Sequence, residues 1–376
     1  MTEGTAQAPS DRPPLSEVAL VFLKLGTTAF GGPAAHIAMM HDEFVRRRSW
    51  ISEEDFLDRL GAANLIPGPS STEMAIHIGL LKRGWQGLLV AGACFILPAA
   101  ILVALIADVY VRFGSLPLVA GVLVAVKPVV IAIIVQAFWN LGKKAVKSWW
   151  LGVIAALAAV AYVFRTHELL ILFAAALLAA APRLKSRAAF LIALAVPAVA
   201  SGKVPVSLRR LFLTFLKIGS VLFGSGYVLL AFLHADLVDR LQWLTQKQLI
   251  DAVAVGQITP GPVFTTATFI GYLVAGPRGA TVATIAIFIP AFILVAISGP
   301  LVPKVRKSQI ASAALDGVVV ASLALMGVVA WQLGRAAIIN WWTIGIALVS
   351  ALLLLKWKVN SAWLILAAAA IGFFLR

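Results

Sequence analysis

Long apolar runs separated by short polar stretches dominate this chain, and residues 87–110, 116–139 and 311–331 are almost wholly apolar. As helices, runs of that length cross the roughly 30 Å hydrocarbon core of a bilayer. Strands would leave unpaired backbone groups in lipid, so the pattern predicts an all-α polytopic membrane protein. The pattern is also written twice. Phe22, Lys24 and Gly26 recur as Phe215, Lys217 and Gly219, Trp50 as Trp243, Asp58 as Asp251, and Pro67-Gly68-Pro69 as Pro260-Gly261-Pro262, at a shift of 193. From Gly79 and Gly271 through Gly84 and Gly276 to Trp149 and Trp341 the shift is 192. The matches divide the chain into a polar tail (1–14), a first transmembrane repeat (15–182), a basic and apolar linker (183–207) and a second repeat (208–376). Duplicated apolar halves with Gly/Pro-interrupted segments at matching places mark a secondary transporter.

Composition agrees. The chain is 61% hydrophobic and 12% charged, against about half and a quarter in soluble domains. The tail is polar and has no apolar core of a signal peptide. A net charge of +15 invites a nucleic-acid reading, but the cations sit in short loops, as in Lys143, Lys144 and Lys147, Arg183, Lys185 and Arg187, and Lys304, Arg306 and Lys307. That is the positive-inside signal, so the expected partner is the lipid bilayer and not nucleic acid. Cys94 is the sole cysteine, and the five histidines show no metal-binding spacing. No metal, cofactor or enzymatic reaction is expected, and without a phosphate-binding loop motif ATP does not drive the protein directly.

Loop charge at equivalent positions swaps ends between the copies. The span 116–139 has Arg112 before it and Lys143, Lys144 and Lys147 after it, whereas its counterpart has Lys304, Arg306 and Lys307 before it and Arg335 after it. Lys356 and Lys358 likewise stand where the first half has Arg165 offset by Glu168. Equivalent loops then face opposite sides, which predicts inverted repeats and a C-terminal Arg376 outside. Inversion with an even number of crossings per copy makes the linker stretch 188–200 cross as well; with an odd number the linker stays cytoplasmic.

Chemistry concentrates at the breaks. Ser52 with Asp55 and Thr245 with Gln248 resemble capping boxes that start a helix after the interfacial Trp50 and Trp243. About a dozen residues later each helix meets Pro67-Gly68-Pro69 or Pro260-Gly261-Pro262, which removes two amide donors and stops it. A second half-helix then begins, giving a re-entrant hairpin with an N-terminus at membrane depth, a site suited to an anion. Hydroxyls follow the break in both copies (Ser70, Ser71 and Thr72; Thr265, Thr266 and Thr268), and an amide precedes it in both (Asn64 and Gln257). A small tetrahedral oxyanion fits such donors. The competing reading is a kink whose hydroxyls satisfy freed carbonyls; its repetition in both copies favours a site. A second paired break runs through Phe30, Gly31, Gly32 and Pro33 and through Phe223, Gly224, Ser225 and Gly226. Upstream of it, Lys24 and Lys217 are lysines in apolar segments, candidates for substrate charge or for snorkelling to an interface. Glu73 and His36 are the proton-coupling candidates, although Thr266 and Leu229 occupy their equivalent positions. His77 shares the half-helix of Glu73, and Asp58 and Asp251 read as interfacial helix residues neutralising loop cations.

At these residues the chain resembles the chromate ion transporter (CHR) family. The resemblance rests on Phe30-Gly31-Gly32-Pro33 through His36, the Arg/Trp stretch ending at Trp50, Pro67-Gly68-Pro69 with Gly79, and their second-half counterparts. It covers nearly the whole chain and matches the long two-domain type. It implies a plasma-membrane exporter of chromate that confers chromate resistance, with sulfate as a look-alike anion; a homodimer is left open. Composition and spacing alone reach only a small-anion transporter with inverted repeats. A sulfate or other oxyanion importer and a passive anion channel are the alternatives, and coupling to protons or to anion exchange, as an antiporter, stays open.

Overall fold

The structure, a computed structural model, describes residues 12–114, 116–184, 204–223, 226 and 228–374. The linker stretch 188–200, Gly224, Ser225 and Arg376 lie outside the described residues. The first half comprises α1 (Leu15–Thr28), α2 (Gly32–His41) continuing as a π-helical turn (Asp42–Arg47), α3 (Glu53–Ala63), α4 (Ser70–Phe113), α5 (Pro117–Ala145), α6 (Trp149–Val163) and α7 (Glu168–Leu184). The second comprises α8 (Leu208–Val221), α9 (Leu229–Leu233) with its π-helical turn (His234–Arg240), α10 (Gln246–Ile258), a 3-10 turn (Val263–Thr265) leading into α11 (Thr266–Lys307), α12 (Gln309–Ala337), α13 (Trp341–Lys356) and α14 (Ser361–Phe374). Among the described residues there is no strand. Backbone strain repeats as faithfully as the helices do. Among the described residues, the non-glycine residues with positive φ are Ser49 and Gln242, and Arg165 and Lys358, two pairs at equivalent positions.

The caps set where the half-helices begin. The Ser52 side chain accepts from the Asp55 amide, and Thr245 forms a full capping box with Gln248. α3 then runs 11 residues and α10 13 residues before the Pro-Gly-Pro turns. At about 1.5 Å per residue each reaches only about halfway through the hydrocarbon.

α4 and α11 each fold back on themselves. Arg83 and Gly84 leave helical geometry, as do Ala275 and Gly276, with φ of 59° at Gly84 and 62° at Gly276. In an unbroken helix Gly79 and Gly87 would lie about 12 Å apart. Instead the Cα of each faces the carbonyl of the other, and Gly271 and Gly279 do the same. Thr268 and Thr284 even share a hydrogen bond of 2.7 Å. A short inner arm (70–82, 266–274) therefore packs antiparallel on a long outer arm (85–113, 277–307). Glycines at the contact let the backbones touch, the device by which membrane helices approach closely.

Leu97, Ile101, Leu105 and Val109 form an exposed apolar stripe at four-residue spacing along the outer arm of α4. In water such a stripe would be a liability; here it faces lipid. Trp149 and Trp341 open α6 and α13 at 77% and 83% exposure, the aromatic signature of a membrane interface. The protein is a multi-pass membrane protein. Its halves interlock: α5 packs on α13 and α14 of the other half, and α12 packs on α6 and α7. Polar bonds tie the exchange, from Lys147 to Asp316 (2.7 Å), from the Gln136 side-chain amide to the Leu354 carbonyl (2.8 Å) and from the Tyr272 hydroxyl to Asp108 (2.6 Å).

Candidate functional site

The breaks meet one another. Proline on either side of Gly68 and Gly261 leaves the glycine N–H as the one backbone donor of each Pro-Gly-Pro turn. The Gly68 N–H donates to the Leu222 carbonyl (2.8 Å), and the Gly261 N–H donates to the Ala29 carbonyl (2.9 Å). Ala29 and Leu222 are the C-caps of α1 and α8, again equivalent positions. Each turn is thus pinned on the broken helix of the opposite half. Gly68 at φ 142° and Gly261 at φ 87° occupy conformations that side chains rarely adopt. Gly31 and Gly32, at φ 104° and 77°, make the corner before Pro33, and Pro33 lies against Gly226 of the second half.

The first-half break holds a cluster of uncompensated polar groups. α4 starts at Ser70 with Pro69 as N-cap and no side-chain cap, so amides of its first turn point out unpaired. Ser70, Ser71, Thr72 and Glu73 are all buried, the last two completely. His36 Nε2 lies 3.1 Å from the Ala29 carbonyl and Nδ1 3.2 Å from Ser71 Oγ. A carbonyl only accepts, so Nε2 carries the hydrogen and, on a neutral ring, the Ser71 hydroxyl donates to Nδ1. Thr72 Oγ1, both Glu73 carboxylate oxygens, His77 Nε2 and Arg59 Nε have no hydrogen-bond partner among the described residues. Buried polar groups are nearly always paired, so the three orphans at the turn itself, Thr72 Oγ1 and the two Glu73 oxygens, mark a place built for something else. The Glu73 carboxylate rests on the Cα of Gly68, where any side chain would strike it.

The second-half break is chemically quiet. Thr265 donates to the Pro262 carbonyl (2.8 Å), Thr266 to the Val263 carbonyl (2.8 Å), and Thr268 pairs with Thr284. The Thr265 and Thr266 hydroxyls are thus engaged by carbonyls at the break. The amides also part company: Asn64 is exposed, whereas Gln257 is buried and lines a narrow cavity with Gly226 and Thr266. The lysines differ too. Lys24 is exposed in a cleft with Asp42, Glu43 and Arg47, while Lys217 is held by Glu168 (2.6 Å) and Asp236 (2.5 Å).

Sequence reasoning passed over a second buried network. Lys127, 6% exposed, lies 3.2 Å from Asp251, which also accepts from the Tyr110 hydroxyl at 2.9 Å. The sequence reading set Asp251 beside the interface, but it is fully buried, because α5 of the first half packs over α10 and brings Lys127 to it. The available signal was the lone cation inside the apolar run 116–139. Lys127→Met is expected to cost about 3–5 kcal/mol by stranding Asp251. Lys127→Met/Asp251→Asn is expected to recover most of that in a thermal-aggregation assay on detergent-solubilised protein. Equal losses for both variants would contradict the pairing.

Comparison of the sequence with known proteins places it in a family. A family model described as chromate transporter matches residues 16–180 and again 209–373. The chain is 35% identical over 370 residues to the chromate transport protein of Cupriavidus metallidurans, covering 95% of this chain and 92% of that one. It is 35% identical over 324 residues to a probable chromate transport protein of Synechococcus elongatus (82% and 81% covered) and 34% identical over 340 residues to the chromate transport protein of Pseudomonas aeruginosa (84% and 80% covered). No solved structure matches. With the family model matching both halves and these identities running nearly end to end, the chain belongs to the chromate transporter family.

Proposed function

We propose that the chain is a secondary transporter that carries chromate out of the cytoplasm by alternating access, with sulfate as a competing dianion. The observation that carries the site is the cluster of orphaned groups at the first break. Ser70, Thr72 and the unpaired first-turn amides of α4 offer hydrogen-bond donors to a tetrahedral oxyanion, the Ser71 hydroxyl being given to His36, and the helix N-terminus adds partial positive charge. The names of the relatives supply the substrate. Glu73 lies within the same turn and is the candidate for a coupled proton; His36 orients Ser71.

Inversion of the halves accounts for the bonds between them. The reversal at Gly84 returns α4 to the side where α3 starts; its outer arm crosses, and α5 crosses back to Lys147. Asp316 stands near the start of α12, after the outer arm of α11 has crossed away from Gly276. The Lys147–Asp316 pair then joins the Gly84 side of one half to the side opposite Gly276 in the other. Tyr272, beside the Gly276 turn, bonds Asp108 at the far end of the α4 outer arm in the same sense. On this path Lys143, Lys144, Lys147, Lys356 and Lys358 share one face, which the positive-inside rule makes cytoplasmic, and the C-terminus lies outside.

An inside-negative potential favours the exit of a dianion by about 4.6 kcal/mol per 100 mV, at about 2.3 kcal/mol per charge. Export therefore has a driving force even before any coupled ion is counted. Everted membrane vesicles turn export into uptake. Expressing vesicles are expected to accumulate labelled chromate when energised and to lose that accumulation with an uncoupler or excess sulfate. Uptake no greater than in empty-vector vesicles would remove the substrate assignment, and rapid flux whose accumulation stops at electrochemical equilibrium with the membrane potential would mean a channel.

A further inference from the structure

Lys217 is bound by two carboxylates of different origin. Asp236 belongs to its own half, on the π-helical turn after α9, and is also paired with Arg240. Glu168 comes from the other half, as the first residue of α7, with His167 Nδ1 3.4 Å from its second oxygen. Glu168 is 4% exposed and Asp236 not at all, so this is an interior ion cluster, charge-balanced by Lys217 and Arg240. It floors a cleft of about 200 Å³ lined by Tyr162, Arg165, Ala235 and Gln332 among others.

The equivalent place in the other half lacks that tie. The register is fixed by a shared cap: the Leu169 N–H donates to His167 Nδ1, and the Ala362 N–H donates to Asn360 Oδ1. Glu168 therefore corresponds to Ser361, while Lys217, Asp236 and Arg240 correspond to Lys24, Glu43 and Arg47. Lys24 has its lysine, acid and arginine neighbourhood but no carboxylate reaching over from α14. Glu43 is instead engaged by Arg48 at 2.7 Å, and Lys24 stays exposed in a cleft of about 340 Å³. The start of α14 does approach the first break, since Asn360 adjoins Gly31.

We infer that Glu168 is a positioning residue: a tethered carboxylate that holds Lys217 across the two halves and latches the protein on the α8 side alone. The latch has to be undone once in every transport cycle, whereas the ion pair that joins the halves on the Gly84 side, Lys147–Asp316, is largely exposed and weak, so the resting protein favours the state open around Lys24. An incoming oxyanion is the natural competitor for Lys217, because it offers the same charge that Glu168 supplies.

This inference rests on the inverted reading, and one experiment separates the two. In a Cys94→Ser background, Ala235→Cys reports the α8-side cleft and Ala38→Cys the α1-side cleft, both of which those alanines line. Labelling by a membrane-impermeant maleimide is compared in intact cells and everted vesicles. Inversion predicts that the two cysteines label from opposite sides; labelling from one side would overturn inversion irrespective of the latch. The latch predicts that Glu168→Ser, which copies the residue tolerated at 361, speeds Ala235→Cys labelling about tenfold, a coupling of ordinary allosteric size. Glu168→Asp is expected to stay near the parent rate. If Glu168→Ser fails to accumulate, Ser361→Glu supplies the reciprocal arm: a second latch on Lys24 that slows Ala38→Cys labelling by a similar factor. An unchanged Ala235→Cys rate in folded Glu168→Ser, or an unchanged Ala38→Cys rate in Ser361→Glu, would overturn the latch.

Discussion

Ser70→Ala/Thr72→Ala is expected to lower energised chromate uptake by about a hundredfold, whereas Thr265→Ala/Thr266→Ala changes it by less than about threefold. The first figure follows from losing two hydrogen bonds to a charged ligand, each worth about 1.5 kcal/mol or more, at about 1.4 kcal/mol per tenfold. The second follows from the bonds that the second-half hydroxyls already make to Pro262 and Val263, which leave them little to give a substrate. Deleting a hydroxyl that back-bonds its own helix is a small perturbation. Vesicle uptake at matched protein levels reads both. Equal losses would mean that the two breaks share the anion and that the orphaned groups around Glu73 serve another purpose.

Gly79→Leu and Gly271→Leu are expected to abolish folded protein in the membrane. Each glycine lies backbone to backbone against its partner, Gly87 or Gly279, with Ala91 or Ala283 beside it. A side chain there meets main-chain atoms and a rigid alanine Cβ, so it forces the inner arm off the outer arm; overpacking costs about 1–3 kcal/mol even where side chains yield, and here they cannot. Gly84→Ala tests the turn separately. Open space surrounds Gly84, but its φ of 59° disfavours a side chain, so a milder loss is expected, about 1 kcal/mol. Size-exclusion profiles of solubilised variants distinguish the two. A monodisperse Gly79→Leu protein at parental yield would contradict the hairpin.

The repeat was legible because its signals are covalent and local. Pro-Gly-Pro, the tryptophans at helix starts and the capping residues act through backbone geometry that needs no partner, and each appears at its expected place in both halves. The reversal at Gly84 was not read from the sequence, because glycine also occurs inside straight membrane helices and only the contact of Gly79 with Gly87 identifies a turn. The inequality of the two sites was partly legible, in Glu73 opposite Thr266. Which hydroxyls are spent on carbonyls depends on side-chain rotamers beyond the reach of spacing. Lys127 with Asp251 and Lys217 with Glu168 were invisible for a third reason. Each pair joins residues more than a helix apart in different halves, through the exchange of α5 and α12, and no local pattern records that packing.

Equilibrium binding of labelled chromate to purified, detergent-solubilised protein tests the central claim most directly, because it separates the site from the transport cycle. The account predicts saturable binding that sulfate displaces, that Ser70→Ala/Thr72→Ala weakens strongly and that Thr265→Ala/Thr266→Ala leaves nearly intact. Saturable binding that survives Ser70→Ala/Thr72→Ala unchanged would contradict it and move the oxyanion away from the first Pro-Gly-Pro turn.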